Sequence, residues 1–137
     1  MEKLFDLKLE PRQVNAMSAL ALAHMGDGVF ELLVRTKLCA EGGTTNHRLH
    51  KDTVALVRAE KQAEFADKLL PLLTEEENAF YRRGRNAHPH GIPKHVTPGQ
   101  YAKATGLEAL FGALYLLGER ERLEELFAAL WEEKNAS

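Results

Sequence analysis

Glu108 stands in TGLEALFGALYL, residues 105–116, a run so apolar that a helix there is buried almost all round. A carboxylate in that setting must be paired, hold a metal or open on a cleft, because burying it bare is very costly. An ion pair would need a core-facing arginine such as Arg35 or Arg48. Asp27 poses the same question from LALAHMGDGVFELLVR, residues 20–35, whose apolar residues recur at helical spacing. Glu31 lies four residues on, one turn away on the same face. Gly26 and Gly28 flank the aspartate. Each costs about 1 kcal/mol in a helix interior relative to alanine, so a close approach to that face is the reason to keep them. The plainer account has Asp27 and Glu31 capping or solvating an exposed side. Beside Glu108, Gly112 leaves room one turn on, and Thr105 places a hydroxyl on the same face.

Carboxylates converging from two buried helices suit a hard cation, Mg²⁺ or Mn²⁺ rather than zinc. Such an ion polarises a phosphodiester and activates water against it. Zinc would need His47 and His50, three apart on a presumed helix, or His88, His90 and His95 in a loop without a fixed scaffold. Phosphate binding has a separate signal. No Asp or Glu occurs between Glu77 and Glu108, an interval that holds Arg82, Arg83, Arg85, Lys94 and Lys103. In a chain of net charge −2 this is a local basic patch, fit to neutralise a phosphate backbone. A solvated helix face is the ordinary alternative. Tyr81 and Tyr101 offer stacking or hydrogen bonds.

These residues need helices to position them. After a lead-in ending at Pro11, the pattern predicts a first long helix from about Val14 to Cys39, ended by Glu41-Gly42-Gly43. Thr44 or Thr45 caps the next, whose apolar positions continue to Leu73 and which Pro71 should interrupt or end. Thr74-Glu75-Glu76-Glu77 is a capping box that starts a short helix ending near Gly84. Residues 85–97 hold two prolines and a glycine without periodicity, and read as a loop. Thr97-Pro98-Gly99-Gln100 opens the helix of Glu108, which Gly118 closes. A last amphipathic helix runs from Glu119 to about Lys134. No segment alternates like a strand, so the expectation is an all-α fold of five to seven helices.

With 137 residues, 45% hydrophobic and 28% charged, the chain has the size and composition of one globular domain, spanning 1–137. Its weak net charge exerts no global pull on nucleic acid or membrane, so polyanion binding must be local. The single cysteine, Cys39, excludes an internal disulfide and leaves a thiolate metal site short of ligands. No apolar run spans a bilayer, and the first residues lack the apolar core of a signal peptide. The expectation is a cytoplasmic protein with no membrane partner.

HMGDGVFE, residues 24–31, resembles the ribonuclease III signature, and TGLEALFGALYL that family's second acidic helix. ALAHMGDGVFE, HRLHK, RRGRNA and YAKATGLEALFGALYL follow in the order and spacing of the Mini-ribonuclease III subfamily, which lacks a double-stranded-RNA-binding domain. The likeness covers Asn15 to Phe127. It implies an all-α endonuclease-domain bundle working as a homodimer, with Mg²⁺, or Mn²⁺ in its place, as cofactor. The implied reaction is cleavage of double-stranded RNA to 5′-phosphate and 3′-hydroxyl ends. The implied substrate is the large-subunit (23S) ribosomal RNA precursor, with a ribosomal protein as a partner that presents it. Asp27 and Glu108 match the family's catalytic acids and metal ligands. Arg82, Arg83, Arg85 and Asn86, with Lys94 from the loop, are the expected RNA contacts. Full-length ribonuclease III carries acids where this chain has Ala23 and Thr105, changes the Mini subfamily shares. They thin the acidic shell, and Glu31 is the expected compensating ligand. A non-catalytic all-α RNA-binding or ribosome-assembly module is the alternative. A helical phosphohydrolase acting on nucleotides would need adjacent His-Asp pairs, which the chain lacks.

Overall fold

A computed structural model of the chain describes residues 3–43, 45–87 and 91–136, with side chains through Glu132. Seven α-helices run through the described residues: α1 (Pro11–Ala16), α2 (Ala19–Glu41), α3 (Asn46–Val57), α4 (Ala59–Leu69), α5 (Glu75–Arg85), α6 (Pro98–Leu116) and α7 (Arg120–Ala136). No strand occurs among these residues, as expected.

Most helix starts are written in local chemistry. Thr97 accepts from the Gln100 N–H while the Gln100 side chain accepts from Thr97, and Pro98 sits where a helix has no use for an N–H. Thr74 and Glu77 form the same box at α5. Thr45 caps α3, and Thr44 lies outside the described residues. Pro71 falls in a 3₁₀ turn, Leu70–Leu72, directly after α4.

Two predicted long helices are each broken. The Val14–Cys39 helix is α1 and α2, parted at Met17 and Ser18; both are extended, and the Ser18 hydroxyl accepts from the Ala21 N–H to restart the chain. The helix leading to Leu73 breaks at Arg58, whose ψ of 153° ends α3 and begins α4. Nothing local demands that break: there is no glycine, proline or side-chain cap. The bend lets α3 lie on α2 while α4 packs along α6. That gain is tertiary.

Helix α6 is the axis, buried from Ala104 to Leu116 except at Glu108 and Tyr115, with α2, α4 and α5 packed around it. Phe30 of α2 ties four helices together. Its ring centroid lies 5.6 Å from Phe111 on α6 and 6.1 Å from both Phe65 on α4 and Phe127 on α7. These distances are those of edge-to-face and tilted aromatic pairs.

Candidate active site

The site begins with glycines on two helices. A Cβ built on Gly26 would lie 1.6 Å from the Glu108 carbonyl oxygen, and one on Gly112 would lie 2.0 Å from the Leu22 carbonyl oxygen. Only hydrogen fits at either point, so α2 and α6 cross backbone to backbone. The cost of two helical glycines is offset by that approach. Gly28, expected to share the role, faces open space. Gly112 also departs from expectation. It leaves no room over Glu108, because the α2 backbone fills the space.

The crossing sets Asp27, next to Gly26, beside the Glu108 side chain. The two carboxyls lie within hydrogen-bonding reach, and Glu108 also meets the amide of Gln62 from α4. Asp27 is exposed and Glu108 partly buried. Burial first, then the charge of Asp27 and the hydrogen bond to it, push the Glu108 carboxyl up to about 8; the Gln62 amide opposes this. The arginines that would have made Glu108 a structural ion pair are engaged elsewhere, Arg35 with Glu31 and Arg48 with Asp52.

Two carboxylates forced together, with a hard oxygen donor set and an unpartnered buried amide beside them, fit a divalent cation. Such an ion would offset the burial and the Asp27 charge that together hold the Glu108 carboxyl up. Glu31, expected as a further ligand, does not join them. Its carboxylate accepts from Arg35 Nε at 3.0 Å one turn further along α2. Among the described residues no three His, Cys, Asp or Glu side chains converge on one point. Thr105 also turns away, donating to the Tyr101 carbonyl at 2.9 Å.

Residues 20–119 match the Ribonuclease III domain family. The chain belongs to the ribonuclease III family. Its relatives include a Mini-ribonuclease 3 of Symbiobacterium thermophilum, 46% identical over 110 residues that cover 80% of this chain and 85% of that protein. A Mini-ribonuclease 3 of a Synechococcus strain is 42% identical over 125 residues, 91% of this chain and 88% of the other. A Fusobacterium nucleatum protein of known crystal structure superposes with a TM-score of 0.80 at 30% identity, covering 89% of this chain and 98% of its own. Like its family, this ribonuclease III is an endoribonuclease; the family acts on double-stranded RNA, leaves 5′-phosphate ends and is generally metal-dependent.

The expected RNA contacts of this ribonuclease III divide. Arg82, Arg85 and Asn86 are exposed at the end of α5, and Lys94 is exposed in the following loop. Arg85 Nε donates to the Asn86 side chain, with its guanidinium 5.9 Å from the centre of the Tyr81 ring. Arg83 is placed differently. It is half-buried, donates to the Met17 carbonyl and lies over Phe80, so it pins α5 to the end of α1. The carbonyl left open by the α1–α2 break needs a donor, and Arg83 is that donor. Lys103 is likewise engaged with Asp67, at 2.8 Å. His88 and His90 lie outside the described residues.

The residue that sequence reasoning missed is Gln62. Its signal was present, since it lies three and four residues before Phe65 and Ala66 on the buried stripe of α4. A polar residue on an apolar stripe asks for a partner.

Proposed function

We propose that this protein is a Mg²⁺-dependent ribonuclease, with Mn²⁺ able to substitute, that cleaves double-stranded RNA and trims the ends of 23S ribosomal RNA precursors. The observation that carries this reading is the apposition of Asp27 and Glu108 where glycines let α2 and α6 touch. A divalent cation bound there would polarise the scissile phosphate and make an attacking water more acidic.

The chain's own residues do the rest. Asp27 faces solvent and offers its carboxylate to the incoming phosphate side, while Glu108 anchors the site from the helix axis. Glu108 would have to give up its proton to hold a cation, so binding would strengthen as pH rises towards 8. Arg82, Arg85 and Lys94 bind phosphates, with Asn86 adding hydrogen bonds. Gly84 packs α5 against Thr105, Gly106 and Ala109, so the arginine-bearing end of α5 is held to the segment of α6 that carries Glu108. An A-form duplex is recognised mainly by shape and 2′-hydroxyls, so this small domain suffices without base-reading elements.

A homodimer is part of the proposal. The apolar groove lined by Val29, Leu32, Leu33 and Leu123, with Phe5 80% and Leu32 51% exposed, supports it. Within the described residues no helix is long and apolar enough to cross a membrane, which is compatible with work in the cytoplasm on RNA presented by a ribosomal protein.

Cleavage of a long RNA duplex and of a 23S precursor end, in Mg²⁺ and in EDTA, tests the reading. Metal-dependent cutting by the unsubstituted protein that Asp27→Asn abolishes is the expected result. Cutting that persists in EDTA or in the variant would refute it. Metal-dependent cutting of the duplex but not of the precursor end would refute the ribosomal substrate alone.

A further inference from the structure

Gln62 is only 2% exposed, and its amide nitrogen is the one buried side-chain polar atom among the described residues with no hydrogen-bond partner. The other buried polar side chains are satisfied. Thr53 donates to the Leu49 carbonyl, Thr105 to the Tyr101 carbonyl, and Glu77 accepts from Arg122. An unsatisfied buried amide works against the fold, and a leucine or methionine on this stripe of α4 would pack without that cost. The stripe itself is otherwise Ala63, Phe65, Ala66 and Leu69. The amide acts on the Glu108 carboxyl beside it, drawing it down, without reaching full hydrogen-bond geometry.

We propose that Gln62 is a positioning residue, whose amide holds the Glu108 carboxylate in the orientation that receives a divalent cation together with Asp27. This rests on the reading of the Asp27–Glu108 pair given above. Glu108 has two polar side-chain neighbours, one from each flanking helix. Asp27 on α2 would share the ion. Gln62 on α4 supplies a neutral donor that can engage one oxygen and leave the other for the metal. A neutral amide suits this task better than a lysine or arginine, which would occupy the carboxylate as an ion pair and compete with the cation. Held from both sides, the carboxylate loses the rotational freedom that would otherwise weaken chelation. Outer partners of this kind typically contribute about 10–100-fold to metal affinity.

The test is Mn²⁺ binding by the full chain without RNA, followed by electron paramagnetic resonance of free Mn²⁺, together with Tm in EDTA and cleavage against Mg²⁺ concentration. Gln62→Met should leave Tm in EDTA nearly unchanged, because apolar packing replaces a buried amide whose hydrogen bonding is incomplete, while weakening Mn²⁺ binding about 10–100-fold. The Mg²⁺ needed for half-maximal cleavage should rise in parallel, and saturating Mg²⁺ should restore most of the rate. In a Glu108→Gln background the same substitution should change Mn²⁺ affinity no further, as expected for residues that act through one another. Gln62→Asn, too short to reach, repeats the affinity test should the methionine disturb folding. Unaltered Mn²⁺ affinity in both Gln62 variants overturns the proposal while leaving the acid pair intact. An unsubstituted protein that neither binds Mn²⁺ nor cleaves in Mg²⁺ overturns both.

Discussion

Glu77 and Glu108 are the two acids drawn into the body of this protein, and their surroundings are opposite. Glu77 is buried and accepts from Arg122 through both oxygens, at 2.8 and 2.9 Å, while also closing the Thr74 capping box. Burial pushes its carboxyl up, but the Arg122 and Thr74 bonds outweigh it, and the balance lies below the usual range. Arg122 adds a bond to the Leu72 carbonyl, so this one cluster joins α7 to the start of α5. Glu108 has Asp27 and the Gln62 amide beside it instead. Burial and a neighbouring aspartate drive it the other way, to about 8. One acid is satisfied by an arginine from another helix, and the other is set against a second acid. An acid perturbed in the second way is a candidate for function, and one perturbed in the first is accounted for by structure.

The comparison breaks hardest at the functional end. Asp27→Asn or Glu108→Gln should cut the cleavage rate at least about a hundredfold, since several kcal/mol of charge stabilisation is lost at about 1.4 kcal/mol per tenfold. Circular dichroism should show both variants folded. Glu77→Gln should leave the specific activity of the folded protein unchanged.

Next in size is the helix crossing. Gly26→Ala drives a methyl into the Glu108 backbone and should destabilise by about 3 kcal/mol or more, read in urea melts, with Mn²⁺ binding lost alongside. Gly28→Ala, one helical position past Asp27 but facing open space, should instead stabilise by up to about 1 kcal/mol. Equal effects at the two glycines would show that the crossing is not what Gly26 serves.

Glu77→Ala removes the bidentate partner of a partly buried guanidinium that keeps Glu125 and the Leu72 carbonyl, and should lower stability by about 1–2 kcal/mol. The pH profiles of the two acids should also run in opposite directions. Glu77 has a lowered folded value, so its contribution is present above 4.5 and is lost as pH falls through that lowered value. Glu108 has a raised one, so its contribution is complete below 4.5 and is lost as pH climbs towards 8. In EDTA at pH 8, Glu108→Gln should therefore melt about 3–5 °C above the unsubstituted protein, and near pH 4 the gap should close.

The smallest effects belong to the surface arginines. Arg82→Ala should weaken duplex binding and reduce the salt slope by about one, whereas Arg83→Ala should leave the slope alone and lower Tm. A salt-slope change at Arg83 would move it back among the RNA contacts.

Much of this was legible in the chain because it is local. The Thr74 and Thr97 capping boxes, the loop after Arg85 and the burial of the Glu108 helix follow from residues within a turn or two of one another. Glu108 is visible as an acid in an apolar helix, where a bare buried charge is too costly to be accidental, and Asp27 as an acid flanked by glycines on another. Glu31 and Arg83 have partners that their spacing does not reveal, for one shared reason. Spacing along a helix says which face a side chain leaves from, but not which partner reaches it first. Arg35 took Glu31, and the Met17 carbonyl took Arg83.

By itself, then, the sequence determined the all-α class, most helix starts and the two acids, because propensity, capping and hydrophobic period act over short separations. Only the tertiary structure decided the break at Arg58, the backbone contact that Gly26 and Gly112 permit, and the arrival of Gln62 beside Glu108. Each of these depends on groups from different helices competing for the same space, and that competition is settled only when the helices pack.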